Sequence, residues 1–303
     1  MAFFLEVLIG GLMAGVLYSL VALGFVLIFK ASGVFNFAQG AMVLFAALTL
    51  VRLMEMLKGT FSPFLLALAI TIVVMIGLAL VIERLVLRPL VNQAGISLFM
   101  ATIGISYFLD GFGQSVWGSD IYILDIGIPR HSLTLFESVF EGGVLVPGGD
   151  LVATLIAGLL VAALAIFFQK TRIGRALRAV ADDHQAAQSV GIPLNYIWII
   201  VWTVAGLVAL VAGIVWGSKL GVQFSLSLVA LKALPVLVLG GFDSVLGAIV
   251  GGLVIGAGEK LSEVYLGPLV GGGIENWFAY VLALLFLLVR PEGLFGEKHI
   301  DRV

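Results

Sequence analysis

The chain has 303 residues, 61% of them hydrophobic and 11% charged, with a net charge of −2 and a mean hydropathy of +1.20, whereas soluble domains are about a quarter charged. That much apolar surface excludes a water-soluble fold, and the near-neutral balance excludes the basic field that nucleic-acid binding needs. The absence of cysteine removes thiol catalysis, disulfides, thiolate metal sites and iron–sulfur clusters together.

No hydrophilic stretch is long enough to build a second core, so residues 1–303 read as one all-α, polytopic transmembrane domain. The first residues lack a basic n-region, and the apolar run after them is too long for a signal peptide, which predicts a retained first helix. A transmembrane helix needs about 20 mostly apolar residues. Residues 7–29, 31–51, 59–82 and 89–109 are free of charge and give the first four spans. Residues 151–168 give a fifth and 196–217 a sixth. The last third offers 222–239, a short 245–257 and 277–289, with dense glycines between and within them. The count is eight or nine spans, with 220–275 the place for a re-entrant segment.

Lys and Arg set the orientation, because short loops rich in them stay cytoplasmic. Residues 169–183 carry Lys170, Arg172, Arg175 and Arg178; residues 118–150 carry Asp120, Asp125, Glu137, Glu141 and Asp150 against Arg130. The first segment is therefore expected inside and the second outside, in the periplasm. Alternation then puts the N-terminus outside and Lys30, Arg84, Arg88, Arg290, Lys298 and Arg302 inside. Glycine supplies 38 residues, and the small-residue runs Gly10–Gly15 and Gly247–Gly258 predict close helix packing.

The most informative stretch is GRALRAVADDHQAAQSVGIP, Gly174 to Pro193. It is polar and helix-forming, with Arg175 and Arg178 one turn apart, Asp182 and Asp183 a turn later, then alanines, and Gly191 as a stop. An ordinary juxtamembrane loop held by anionic lipid is one reading. A short alanine-rich helix laid into a groove of a soluble partner is the other, since small side chains permit close contact.

This pattern resembles the coupling-helix segment of ABC importer permeases, and specifically of the branched-chain amino-acid family. The wider importer family has Glu-Ala-Ala, three residues, then Gly; here Gln185-Ala186-Ala187 precede Gly191 by the same spacing, with glutamine in place of the glutamate. The resemblance extends to Asn36–Gly40 (NFAQG, where the family has an NFAHG-like stretch), to ERLVLRPL at 83–90, to WGSD at 117–120 and to LVLGGFDSVLGAIVGG at 237–252.

It implies a permease subunit that moves branched-chain or other hydrophobic amino acids across the bacterial inner membrane. The expected partners are two ABC ATPase subunits, a second, unlike permease subunit and a periplasmic substrate-binding protein, in a lipid bilayer. Gly174, Arg175, Arg178, Asp182, Asp183, Gln185, Ala186, Ala187 and Gly191 would couple the ATPases to the spans. The chain has no G-x-x-x-x-G-K-[ST]; GAGEKLS at 256–262 has the wrong spacing. It is thus expected to be a transport subunit rather than an enzyme, with no bound cofactor or metal and with ATP and Mg held by the partners.

Polar residues inside apolar spans are candidates for a pathway. Asn36 and Gln39 flank the second span; Thr102, Ser106 and Asp110 lie a turn apart on the fourth; Lys232 interrupts the seventh. Helix capping or interhelical hydrogen bonding is the alternative for Asn36 and Gln39, Asp110 is expected to be interfacial, and Lys232 has Asp110 or Glu259 as candidate partners. A mostly apolar pore also suits urea or a short amide. An ion-coupled carrier would place carboxylates or histidines at mid-membrane, but His131, His184 and His299 fall in loops or the tail. An intramembrane enzyme would need a nucleophile and base or a metal cluster, for which there is no motif.

Overall fold

The computed structural model of the chain describes residues 2–296 apart from 34, 91, 92, 94, 129, 130, 136, 138, 139, 141, 142 and 183. Asp183 and, among the other residues named above, Arg130, Glu141, Lys298, His299 and Arg302 lie outside the described residues. Twelve helices are described: α1 (Ala2–Ser32), α2 (Gln39–Met56), α3 (Pro63–Val81), α4 (Gly95–Trp117), α5 (Gly148–Lys170), α6 (Arg172–Asp182), α7 (His184–Ser189), α8 (Leu194–Leu220), α9 (Val229–Gly240), α10 (Val245–Tyr265), α11 (Gly267–Val270) and α12 (Phe278–Val289). A two-stranded antiparallel hairpin, β1 (Ser132–Leu135) and β2 (Val144–Pro147), pairs Ser132 with Pro147 and Leu135 with Val144.

Among the described residues seven helices are long and apolar enough to cross a membrane, joined by two shorter apolar helices at Phe224–Gly240 and Phe278–Val289. The chain is a multi-pass membrane protein. Several expected boundaries move. The fourth span starts at Gly95 rather than 89, because α3 runs on through a π turn at Ile82–Leu87 and a 3-10 turn at Arg88–Leu90, where Pro89 cannot continue an α-helix. The short 245–257 span extends to Tyr265, since Glu259, the charge that seemed to end it, is buried and paired. His184 opens α7, in the segment between the spans α5 and α8.

The chain divides into two compact units. The first comprises Met1–Ala22, Gly127–Ala162 and Leu231–Val303. Here the two small-residue runs meet. A Cβ on Gly11 would lie 2.8 Å from the Ala257 Cα, and one on Gly15 would lie 2.9 Å from the Leu253 Cα. The Ser19 hydroxyl donates to the Gly15 carbonyl at 2.9 Å and the Ile249 carbonyl at 3.2 Å, so hydrogen bonding adds to the close packing that small residues permit in lipid. At the other edge of α10, Gly251 sits where a Cβ would be 2.7 Å from the Val236 carbonyl. Ser244 caps α10 by accepting from the Gly247 N–H at 2.9 Å. The C-terminal segment folds onto this turn: Leu294 N–H donates to the Leu239 carbonyl at 2.8 Å and Phe295 N–H to the Gly240 carbonyl at 3.1 Å. Within the glycine-rich 220–275 region, α9 and α10 therefore pack as a tight helical hairpin.

The second unit comprises Leu23–Ile126 and Ala163–Ala230. Its centre is α2, every residue of which from Gln39 to Val51 is buried. A helix apolar all round needs neighbours on every side, and α3, α4 and α8 supply them. Gly213 of α8 lets the two helices approach, since a Cβ there would lie 2.8 Å from the Val43 carbonyl. The expected second span, 31–51, is broken instead. The helix of α1 continues to Ser32, Gly33 leaves it at φ +68° with its N–H on the Phe29 carbonyl at 2.7 Å, and α2 begins only at Gln39. Residues 35–39 double back along α1, with Phe35 stacked on Phe25 at 4.7 Å and Gln39 packed against Gly24.

Candidate functional site

The segment expected to meet a partner, residues 170–193, is two helices rather than one. Two backbone bonds close the second: Ile192 N–H donates to the Ala187 carbonyl at 3.0 Å and Gly191 N–H to the Gln188 carbonyl at 3.0 Å, with Gly191 at φ +85°. This is a Schellman cap, which requires a left-handed residue that glycine adopts without strain. Ala186, Gln188, Ser189 and Gly191 are exposed, and Val190 is 75% exposed. Ala187 is 2% exposed, so its methyl faces the chain itself. Gln185 lies in α7.

In α6 the buried face is Gly174, Leu177 and Val180, packed on α8. Arg175 and Asp182 are exposed. Arg178 turns inward and donates through Nη1 to the Phe168 carbonyl of α5. Gly174 is needed at the same corner, because a Cβ would come within 2.6 Å of the Phe167 carbonyl.

The break between α1 and α2 brings together three of the polar residues singled out for a pathway, Asn36, Gln39 and Thr102. Asn36 and Gln39 are fully buried and Thr102 nearly so. The Asn36 Oδ1 accepts the Ala38 N–H at 3.0 Å, an Asx turn, while its amide donates to Gln39 Oε1 at 3.3 Å. Gln39 in turn donates to the Ala205 carbonyl of α8 at 3.4 Å. From α4, the Thr102 hydroxyl donates to the Phe99 carbonyl at 2.9 Å and accepts the Phe37 N–H at 3.3 Å. Non-helical backbone buried among apolar helices must find partners inside the protein, and these side chains supply them for Phe37 and Ala38. Phe37 stays 40% exposed, edge-on to Phe35 at 4.7 Å and to Phe99 at 4.9 Å. Ser106 is half-buried one turn along α4, and the buried Asp110 Oδ1 has no hydrogen-bond partner among the described residues.

Lys232 belongs to the first unit. Its ammonium pairs with Glu259 and donates to the Glu275 carbonyl at 2.9 Å, which settles Glu259 over Asp110 as its partner. The Tyr18 hydroxyl also bonds Glu259. Lys260 pairs with the Glu275 carboxylate at 2.8 Å, and the Glu263 carboxylate accepts the Gly273 and Glu275 N–H groups at 2.9 Å each. Glu259 is 2% exposed while the Lys232 side chain is 29% exposed. A carboxylate buried this deeply persists as an ion only with a cation and further donors around it. Sequence reading found Lys232 but neither Tyr18 nor Glu275; nothing in their spacing marks them, because the three elements meet only in the fold.

The helices and these buried polar nodes define a multi-pass membrane protein with an exposed helical segment between two of its spans. A family described as branched-chain amino acid transport system / permease component matches residues 7–290, and the chain belongs to that family. Among its relatives, the high-affinity branched-chain amino acid transport system permease protein LivH of Salmonella typhimurium is 28% identical over 99% of this chain and 98% of the relative. The corresponding protein BraD of Pseudomonas aeruginosa is 29% identical over the same shares. A probable LivH of Methanocaldococcus jannaschii is 28% identical over 96% of this chain and 92% of the relative. Of solved structures, PsaBC from Streptococcus pneumoniae in complex with Fab matches at a TM-score of 0.43 with 13% identity, covering 92% of this chain and 89% of that one, a likeness too distant to carry an argument.

Proposed function

We propose that this chain is the permease subunit of an ATP-driven importer that carries branched-chain or other hydrophobic amino acids across the bacterial inner membrane. The observation that carries this reading is the family match over residues 7–290. The chain forms the pore with a second permease subunit, receives substrate from a periplasmic binding protein, and is driven by two ATPase subunits that bind ATP and Mg. It hydrolyses nothing itself and binds no cofactor.

The ATPases dock on the exposed surface of residues 170–193: Arg175, Asp182, Ala186 and Gly191 of the residues named from sequence, with Gln188, Ser189 and Val190 beside them. Closure of the ATPases moves this segment and switches access to the pore. The non-helical stretch 35–38 belongs to the translocation pathway, where Asn36, Gln39 and Thr102 hold the backbone open rather than touch the substrate. Ser106 and Lys232 are the two pathway candidates whose side chains keep an open side.

The test is uptake of radiolabelled leucine in a strain deleted for this chain, with mass spectrometry of what purifies with it. Recovery of ATPases with P-loops together with loss of leucine uptake is the expected result. Intact leucine uptake with ATPases present would overturn the substrate class, and the absence of any ATPase would overturn the mechanism.

A further inference from the structure

We propose that Arg178 does not contact a partner but is the positioning residue that locks α6 to the end of α5, so that a displacement of the coupling segment turns a membrane helix instead of being lost in a loose joint. This rests on the reading of residues 170–193 as the segment on which the ATPases act. The last carbonyls of any helix lack intrahelical partners, and at the edge of a bilayer such groups are expensive to leave unpaired. Two of the last four carbonyls of α5, those of Phe167 and Phe168, are met by the segment that follows it. The Thr171 hydroxyl donates to the Phe167 carbonyl at 2.6 Å and its N–H donates to the same oxygen at 3.2 Å. That hydroxyl also accepts the Gly174 N–H at 3.0 Å, starting α6.

Arg178 completes the corner from one turn further on by donating to the Phe168 carbonyl. A guanidinium at a helix C-terminus has both a charge-assisted hydrogen bond and the helix dipole in its favour. Gly174 makes the approach possible, and Leu177 and Val180 are buried beneath α6. The joint therefore has a polar clamp on one side and an apolar seat on the other. Arg175, three residues earlier, is exposed and has no part in the clamp, which makes it the internal comparison.

The experiment uses the whole importer, with its ATPases and binding protein, in proteoliposomes, reading ATP hydrolysed per leucine transported. Arg178→Ala is expected to keep hydrolysis within about twofold of the unaltered complex while transport falls about tenfold, as for loss of one hydrogen bond to a charged group. Arg178→Lys, which keeps a charge and one donor, should recover most of the coupling. If the alanine variant does not assemble, Arg178→Gln takes its place, with an intermediate ratio expected.

Equal loss of hydrolysis and transport, a lysine variant no better than alanine, or unchanged transport would each overturn the proposal. So would loss of ATPase co-purification specific to the Arg178 variants, which would make Arg178 part of the docking surface. Failure of the ATPases to purify with the unaltered chain would instead overturn the coupling reading on which the proposal stands.

Discussion

The two buried polar nodes of this permease solve one problem in different ways. In the second unit the break at residues 35–38 is held by neutral groups, Asn36, Gln39 and Thr102, whose hydrogen bonds go mostly to backbone. In the first unit Lys232 pairs with Glu259 and Lys260 with Glu275, and the Lys232 ammonium joins the two pairs through the Glu275 backbone carbonyl. Neutral amides can be fully enclosed because their burial is balanced once each donor and acceptor is met. Ions cannot be enclosed so simply, and the ionic node keeps its lysines partly exposed while only Glu259 is sealed. The break after α1 is thus held by neutral side chains, whereas the turn at Gly273–Glu275 is held by the Glu263 carboxylate and the Lys232 ammonium.

The comparison breaks most visibly at Glu259. Glu259→Leu leaves the Lys232 ammonium without its partner, and removing one member of a buried pair costs about 3–5 kcal/mol. A marked fall in the detergent thermal midpoint is expected, largely restored in the Lys232→Met/Glu259→Leu double variant; a double variant as unstable as the single would show that the residues act separately.

The neutral node should respond less in stability and more in transport. Asn36→Leu strips the Ala38 N–H and the Gln39 amide of their partner, about 1–3 kcal/mol. Leucine uptake should drop more than the amount of inserted protein; parallel loss of both would make the turn merely structural. The smallest effect is expected at the rim, where Lys260→Ala removes a pair whose side chains are 44% and 38% exposed and should cost under about 1 kcal/mol. A shift in thermal midpoint that vanishes at high salt would fit; a large salt-independent one would show that the Lys260–Glu275 pair counts as much as the buried Lys232–Glu259 pair.

The helix-packing runs around Gly11 and Gly252 were legible in sequence because small residues recur at helical spacing, and their partners proved to be each other. Gly191 was legible as a helix stop for an equally local reason. Ala187 and Arg178 were not: both sit in a polar segment, and only the fold shows that the Ala187 methyl is buried and that the Arg178 guanidinium is spent on the end of α5.

By itself the sequence determined the membrane class, most of the spans and the polar segment between two of them, since these follow from composition and local periodicity. The tertiary structure decided where the second span breaks, which carboxylate Lys232 meets and which way Arg178 faces. Each of those depends on carbonyls and side chains distant in the chain, and hydrogen-bond satisfaction in a medium without water is a property of the assembled helices rather than of any one of them.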